Sequence, residues 1–207
     1  MRLILALAAL VLIGAAPAPG GLTVYVRGPG NQPIRDAVVT LHLVGRATPA
    51  AQGAGSYTVD QKDIQFHPFV LVVPVGADVS FPNFDAVRHH VYSFSSAKKF
   101  ELKLYAREQS RSVRFDKPGI VALGCNIHDQ MSAFINVVDT SYVVKTDSSG
   151  NAVFSGLPAG ARVSLDVWHP YLRAPGNHVA REVATGGAET VDITLRTPPR
   201  MAGSTHY

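Results

Sequence analysis

The stretch Gly124-Cys125-Asn126-Ile127-His128-Asp129-Gln130-Met131 decides how the rest of the chain is read. It holds the single cysteine of a 207-residue chain, with a histidine three positions later and a methionine three beyond that. Gly124 reads as a turn, and residues 133–138 read as the strand that follows the loop. A thiolate, an imidazole and a thioether on one short loop are donors that copper takes in a trigonal site with a weak axial ligand. Each residue alone has a plainer use, since a lone Cys is commonly a small buried hydrophobe and a lone Met fills core space. The joint spacing favours Cys125, His128 and Met131 as three ligands of one copper ion, and it asks for a fourth from elsewhere in the chain.

The N-terminus bears on that reading. Arg2 precedes an unbroken apolar run over 3–13, followed by small residues through Ala18. This is the layout of a secretory signal peptide over 1–20, too short for a membrane span of about 20 apolar residues. Periplasmic or secreted location follows, with no membrane span. Pro17 and Pro19 blur the cleavage point, which is placed only between Ala15 and Gly21. In an oxidising compartment an odd cysteine asks for burial or capping, and coordination would hold the sulfur as thiolate.

Composition excludes some partners. Without Arg2 the 19 Lys and Arg become 18, against 15 Asp and Glu, a net charge of +3. Residues 47–140 carry nine of each sign, so the excess lies outside the segment with the Cys loop. With no basic run and no aromatic-basic interleaving, nucleic acid is not an expected partner.

Short β-branched and aromatic runs separated by Gly, Pro, Asn and Asp, without a helical period, predict an all-β chain. Strands are expected over 22–27 and 37–44, around a turn over 28–33. Residues 45–56, rich in Ala, Gly and Pro, read as a linker. Further strands are expected over 100–105, 111–115 and 119–123, with loops over 95–99 and 106–110. Lys98 and Lys99 read as solvated.

From Tyr57 the pattern runs Phe66-x-Pro68, Leu71-x-Val73, Gly76, Val79-x-Phe81, Asn83, Asp85, His89-x-Val91. This resembles the N-terminal half of the cupredoxins, small blue-copper Greek-key β-sandwiches. The resemblance implies His89 as the first copper ligand and Cys125, His128 and Met131 as the other three, one copper per chain. The short C-x-x-H-x-x-M loop looks amicyanin-like. Period-two geometry agrees on which of two adjacent histidines is meant, since Val87, His89 and Val91 share one strand face. His90, on the other face, reads as a surface or hydrogen-bonding histidine. It stands where the family has an asparagine that ties the ligand loops together, and the resemblance offers it that role.

From residue 141 the sequence changes character. Lys145-Thr146-Asp147-Ser148-Ser149-Gly150, then Val153, Leu157-Pro158-x-Gly160 and Val163-x-Leu165-x-Val167, resemble the second half of a carboxypeptidase-regulatory or transthyretin-like Ig-type domain. The missing first half matches the start of the chain. The expected architecture is therefore a cupredoxin sandwich, 47–140, inserted into a discontinuous Ig-like sandwich, 22–46 and 141–197, with a disordered tail over 198–207. The two pieces total 82 residues, enough for a small sandwich, whereas the C-terminal 57 alone would be marginal. A serial arrangement, one larger cupredoxin over 22–140 and a β appendage, is the alternative.

The resemblance implies a one-electron carrier serving redox partner proteins, not an enzyme. No His-x-His pairs of the kind a trinuclear copper cluster uses occur, and His42, His67, His169, His178 and His206 are scattered. His169, in Trp168-His169-Pro170, reads as structural or partner-contacting. A copper carrier or sensor is the second reading, and a non-redox adhesion or binding module the third. Chains of this layout also resemble exported proteins labelled methylamine-utilisation or plastocyanin-like, which implies a redox partner without making methylamine a substrate.

Overall fold

The computed structural model describes residues 20–53 and 55–197. The tail expected over 198–207 and the leader expected over 1–20, Gly20 excepted, lie outside the described residues. Among the described residues the regular structure is β, apart from two single turns of 3-10 helix at Pro29–Asn31 and Pro175–Asn177. Among the described residues no helix is long and apolar enough to cross a membrane.

The chain begins with β1 (Gly20–Gly28), β2 (Gln32–Pro33) and β3 (Val38–Leu43). Ten strands follow: β4 (Tyr57–Thr58), β5 (Asp60–Lys62), β6 (Gln65–His67), β7 (Val70–Pro74), β8 (Ala77–Pro82), β9 (His89–Ser95), β10 (Lys98–Tyr105), β11 (Ser110–Phe115), β12 (Gly119–Cys125) and β13 (Ser132–Val138). The last five are β14 (Val143–Lys145), β15 (Asn151–Leu157), β16 (Arg162–Trp168), β17 (His178–Ala184) and β18 (Gly187–Asp192).

Two apolar cores organise these strands. In the first, a five-stranded sheet in the order β10-β9-β12-β13-β7 faces a three-stranded sheet, β11-β8-β4. Alternate residues, among them Val79, Phe81, Val91, Phe115, Val121 and Ile135, fill the space between them. Period-two burial is the reason: a half-buried strand sends every second side chain inward. In the second core, β15-β1-β18 with β2 at the edge faces β14-β3-β16-β17, over Leu22, Val24, Leu41, Phe154 and Leu165. Gly150 closes the turn into β15 with φ +68°, and a Cβ there would stand 2.6 Å from the Val26 carbonyl oxygen.

A third, smaller cluster joins the two: Val38, Val70 and Trp168 are buried together, with Phe69 and Phe134 against them. The Phe134 and Trp168 rings meet edge to face at 5.9 Å. Lys145 Nζ donates to the Val70 carbonyl at 2.9 Å and pairs with Asp36 at 3.0 Å. The segments leaving β3 and entering β14 run side by side. Ala50 bridges Thr140, and the Ser141 N–H donates to the Pro49 carbonyl at 2.9 Å.

Several local expectations shift. β1 starts at Gly20, inside the segment assigned to the leader, because Gly20 already pairs with Leu157. Lys98 and Lys99 are not loop residues. Ser95 pairs with Lys98 across a two-residue hairpin turn, so β10 begins directly after it.

Candidate metal centre

Three side chains converge at one end of the first sandwich. Cys125 ends β12 and pairs with Val91 of β9, two residues beyond His89 on the same inward face. His89 is fully buried and Cys125 is 3% exposed. Cys125 Sγ lies 3.8 Å from His89 Nδ1 and 3.6 Å from His128 Nδ1. The three donor atoms all lie within 4.8 Å of one another, the one such group of His, Cys, Asp or Glu among the described residues. The His89 and His128 rings stand 5.0 Å apart.

Met131 is 1% exposed and belongs to the same core cluster as Cys125. Its N–H donates to the His128 carbonyl at 2.9 Å, which closes the loop into a turn and brings the methionine back toward the core. A cysteine sulfur and two imidazole nitrogens, with the Met131 thioether buried on the same loop, form a soft, mixed donor set that suits copper better than an oxygen-seeking ion. The residues present therefore fit the group that the sequence implies.

Gly124 is strand, not turn, and its small size has another cause. The Tyr92 ring lies over it on the neighbouring strand, and a Cβ at Gly124 would stand 2.8 Å from that ring. His90 does not take the tying role through its side chain. Its ring lies on the opposite face of β9 from His89, with Nε2 3.0 Å from Glu101 Oε1, while its backbone carbonyl accepts the Asn126 N–H at 3.2 Å. The loops are thus joined by backbone, which any residue at position 90 could supply.

Behind His89 is a set of polar groups that sequence reasoning left without a role. His89 Nε2 lies 2.8 Å from Asp85 Oδ2. Asp85 also accepts the backbone N–H of Asp63 at 2.7 Å and that of Ile64 at 3.0 Å. Asn83, fully buried, accepts the Asp85 N–H at 2.9 Å and donates to the Val87 and Tyr105 carbonyls, which holds the loop in shape. Burial pushes the Asp85 carboxyl up, but hydrogen bonds from His89, Ile64 and Asp63 and the charge of His89 outweigh it, and the pKa falls below the ordinary value. His128, half-buried, is lowered by desolvation and by neighbouring His89, against an upward pull from Asp85. The only visible signal was local: an Asn83-Phe84-Asp85 loop four residues before His89.

The other described histidines do not join the group. His42 pairs with Asp139 at 3.0 Å, and His178 lies 2.5 Å from Asp166. His169 is 5% exposed, and its Nδ1 accepts the Tyr171 N–H at 3.2 Å, a structural use.

No family model matches the chain, and no curated protein matches it. Among solved structures it is similar to a copper-containing nitrite reductase from Thermus scotoductus, 27% identical with a TM-score of 0.39 over 46% of this chain. The match spans 24% of that enzyme, about a quarter of its length. It is also similar to an amicyanin variant in its Cu(I) form, 23% identical with a TM-score of 0.38, over 48% of this chain and 99% of that one. A second reduced amicyanin variant gives 24% and 0.38 over the same shares.

Proposed function

We propose that this chain is an exported type 1 copper protein that passes single electrons between redox partner proteins and is not itself an enzyme. The observation that carries the reading is the approach of His89 Nδ1 and His128 Nδ1 to Cys125 Sγ, at 3.8 and 3.6 Å, from residues 36 positions apart and three apart in the chain. His89, Cys125 and His128 would hold the metal in a trigonal plane, with Met131 as the weak axial donor. Copper bound by such donors cycles between Cu(I) and Cu(II) with little rearrangement.

The chain's own residues supply the rest. Burial of His89 and Cys125 keeps water from the thiolate and limits the reorganisation of solvent that charge transfer would otherwise require. His128 is half-buried, so its ring edge is the way out to a partner. Ile127 beside it, and Phe84 and Val87 on the loop before His89, are exposed apolar side chains suited to a short-lived protein contact.

We also propose that residues 47–140 form a cupredoxin unit inserted into an Ig-like unit built from 22–46 and 141–197. Separate apolar cores and the side-by-side crossing at Ala50 and Thr140 support the division. The expected leader over 1–20 supports a periplasmic or secreted location.

Copper reconstitution with visible and electron-spin spectroscopy tests the function. One copper per chain, an intense thiolate-to-copper band and a reversible one-electron titration are expected. Rapid loss of copper to a chelator would favour a carrier or sensor, and absence of copper binding would leave a non-redox β-sandwich module.

A further inference from the structure

We infer that Asp85 is a positioning residue which, held by the turn at Asp63 and Ile64, sets the tautomer of His89 before any metal arrives. This rests on the copper reading above.

Two backbone N–H groups and one ring nitrogen converge on one carboxylate: the amides of Asp63 and Ile64 at 2.7 and 3.0 Å and His89 Nε2 at 2.8 Å. An ionised carboxylate is acceptor only. Nε2 of His89 must therefore carry a proton, and in the neutral ring Nδ1 is left as a lone pair. Nδ1 is the nitrogen that points to Cys125 Sγ, at 3.8 Å. The proton is placed on the far side of the ring from the sulfur, where it does not compete with a metal.

The donors that hold Asp85 are themselves held. Asp63 and Ile64 both have φ of +55°, a left-handed conformation that is rare for a β-branched residue and turns both amides to the same side. They join β5 to β6, and both strands are anchored through buried residues, Gln61 and Phe66. Asn83 fixes the backbone of Asp85 from below through the Asp85 N–H. A turn more than twenty residues upstream thus determines which face of His89 is free to bind.

Asp85→Asn isolates the effect because it keeps the shape. An amide has one acceptor oxygen and one donor nitrogen, so it cannot accept all three N–H groups. When the amide oxygen takes the place that serves Asp63, its nitrogen faces Nε2, which must then accept, and the His89 proton moves to Nδ1, where the metal lone pair is needed.

The test is long-range proton–nitrogen NMR of the metal-free protein, with Cu(I) affinity by chelator competition. Wild type is expected to show His89 protonated on Nε2 alone. Asp85→Asn is expected to show the Nδ1 form or a mixture, with the other core resonances unmoved and Cu(I) affinity lowered about 10- to 100-fold. A wild-type ring protonated on Nδ1 would overturn the inference without any variant, even if the variant fails to fold. So would an Asp85→Asn protein that keeps the wild-type tautomer and binds within about twofold of wild type, while leaving the copper reading intact. Failure of wild type to bind copper at all would instead overturn the copper reading, and with it the ligand-positioning role.

Discussion

The two sandwiches bury polar side chains for different ends. Around the second core, Thr140, Thr146 and Thr185 each bridge backbone groups with one hydroxyl. Thr146 Oγ1 donates to the Ile34 carbonyl at 2.8 Å and accepts the Ala37 N–H at 3.0 Å. Thr185 does the same between Pro158 and Ala161, and Thr140 between Leu41 and Tyr142. These hydroxyls brace loops against strands. In the first sandwich Gln61 and Asn83 also brace backbone carbonyls, but a further set of polar groups runs in a chain toward one end, from Asn83 to Asp85 to His89 to Cys125. The same architecture carries a splint in one case and a donor cluster in the other. Buried polar groups must be paired somewhere, and the choice of partner separates support from chemistry.

The largest expected effect breaks the comparison at its centre. Cys125→Ser is expected to abolish the thiolate-to-copper band in visible spectra while the metal-free protein stays folded by circular dichroism. Loss of folding with it would mean that Cys125 serves the core alone. In the second core, Leu165→Ala is expected to cost about 2–5 kcal/mol in denaturant unfolding. The copper spectrum of the protein that remains folded should not move, and a changed spectrum would show that the two cores are not independent.

A pH series sharpens the contrast next. Burial holds His169 at about 4, below the ordinary histidine value, against an upward pull from nearby Asp36. Between pH 6.5 and 4 the unfolded chain protonates this residue and the folded one does not, so stability falls as pH falls through that window. The loss is on the order of 3 kcal/mol, and His169→Asn, which can keep an acceptor for the Tyr171 N–H, should flatten the slope. An unchanged slope would assign the acid sensitivity elsewhere. Thr146→Val is the smallest, about 1–2 kcal/mol in thermal or denaturant unfolding from the unpaired Ala37 N–H and Ile34 carbonyl. No measurable cost would mean that water replaces the hydroxyl.

Alternation and turn residues made the strands legible, as at β1, where Leu22, Val24 and Val26 are buried in turn. They did not place Lys98 and Lys99, because a two-residue hairpin turn such as Ser96-Ala97 carries no Gly or Asn to mark it. Gly124 misled for a related reason: a glycine needed for the close approach of Tyr92 looks, in one dimension, like a glycine needed for a turn. His90 was assigned to the face opposite His89 by its parity and lies there, largely covered and paired with Glu101. Its tie to the Cys loop runs through a carbonyl, a group that every residue has and no sequence distinguishes.

By itself the sequence determined the β class, the placement of Cys125, His128 and Met131 on one loop, and the alternation that turns His89 inward with Val91, because these depend on spacings of a few residues; Val87, read on the same face, instead precedes β9 and is exposed. Tertiary structure alone decided that His89 meets Cys125, that Asp85 stands behind it, and that a turn at Asp63 and Ile64 holds Asp85. Those contacts join stretches tens of residues apart. Local geometry repeats every two residues along a strand, whereas strand register and loop closure are set by the packing of the whole core.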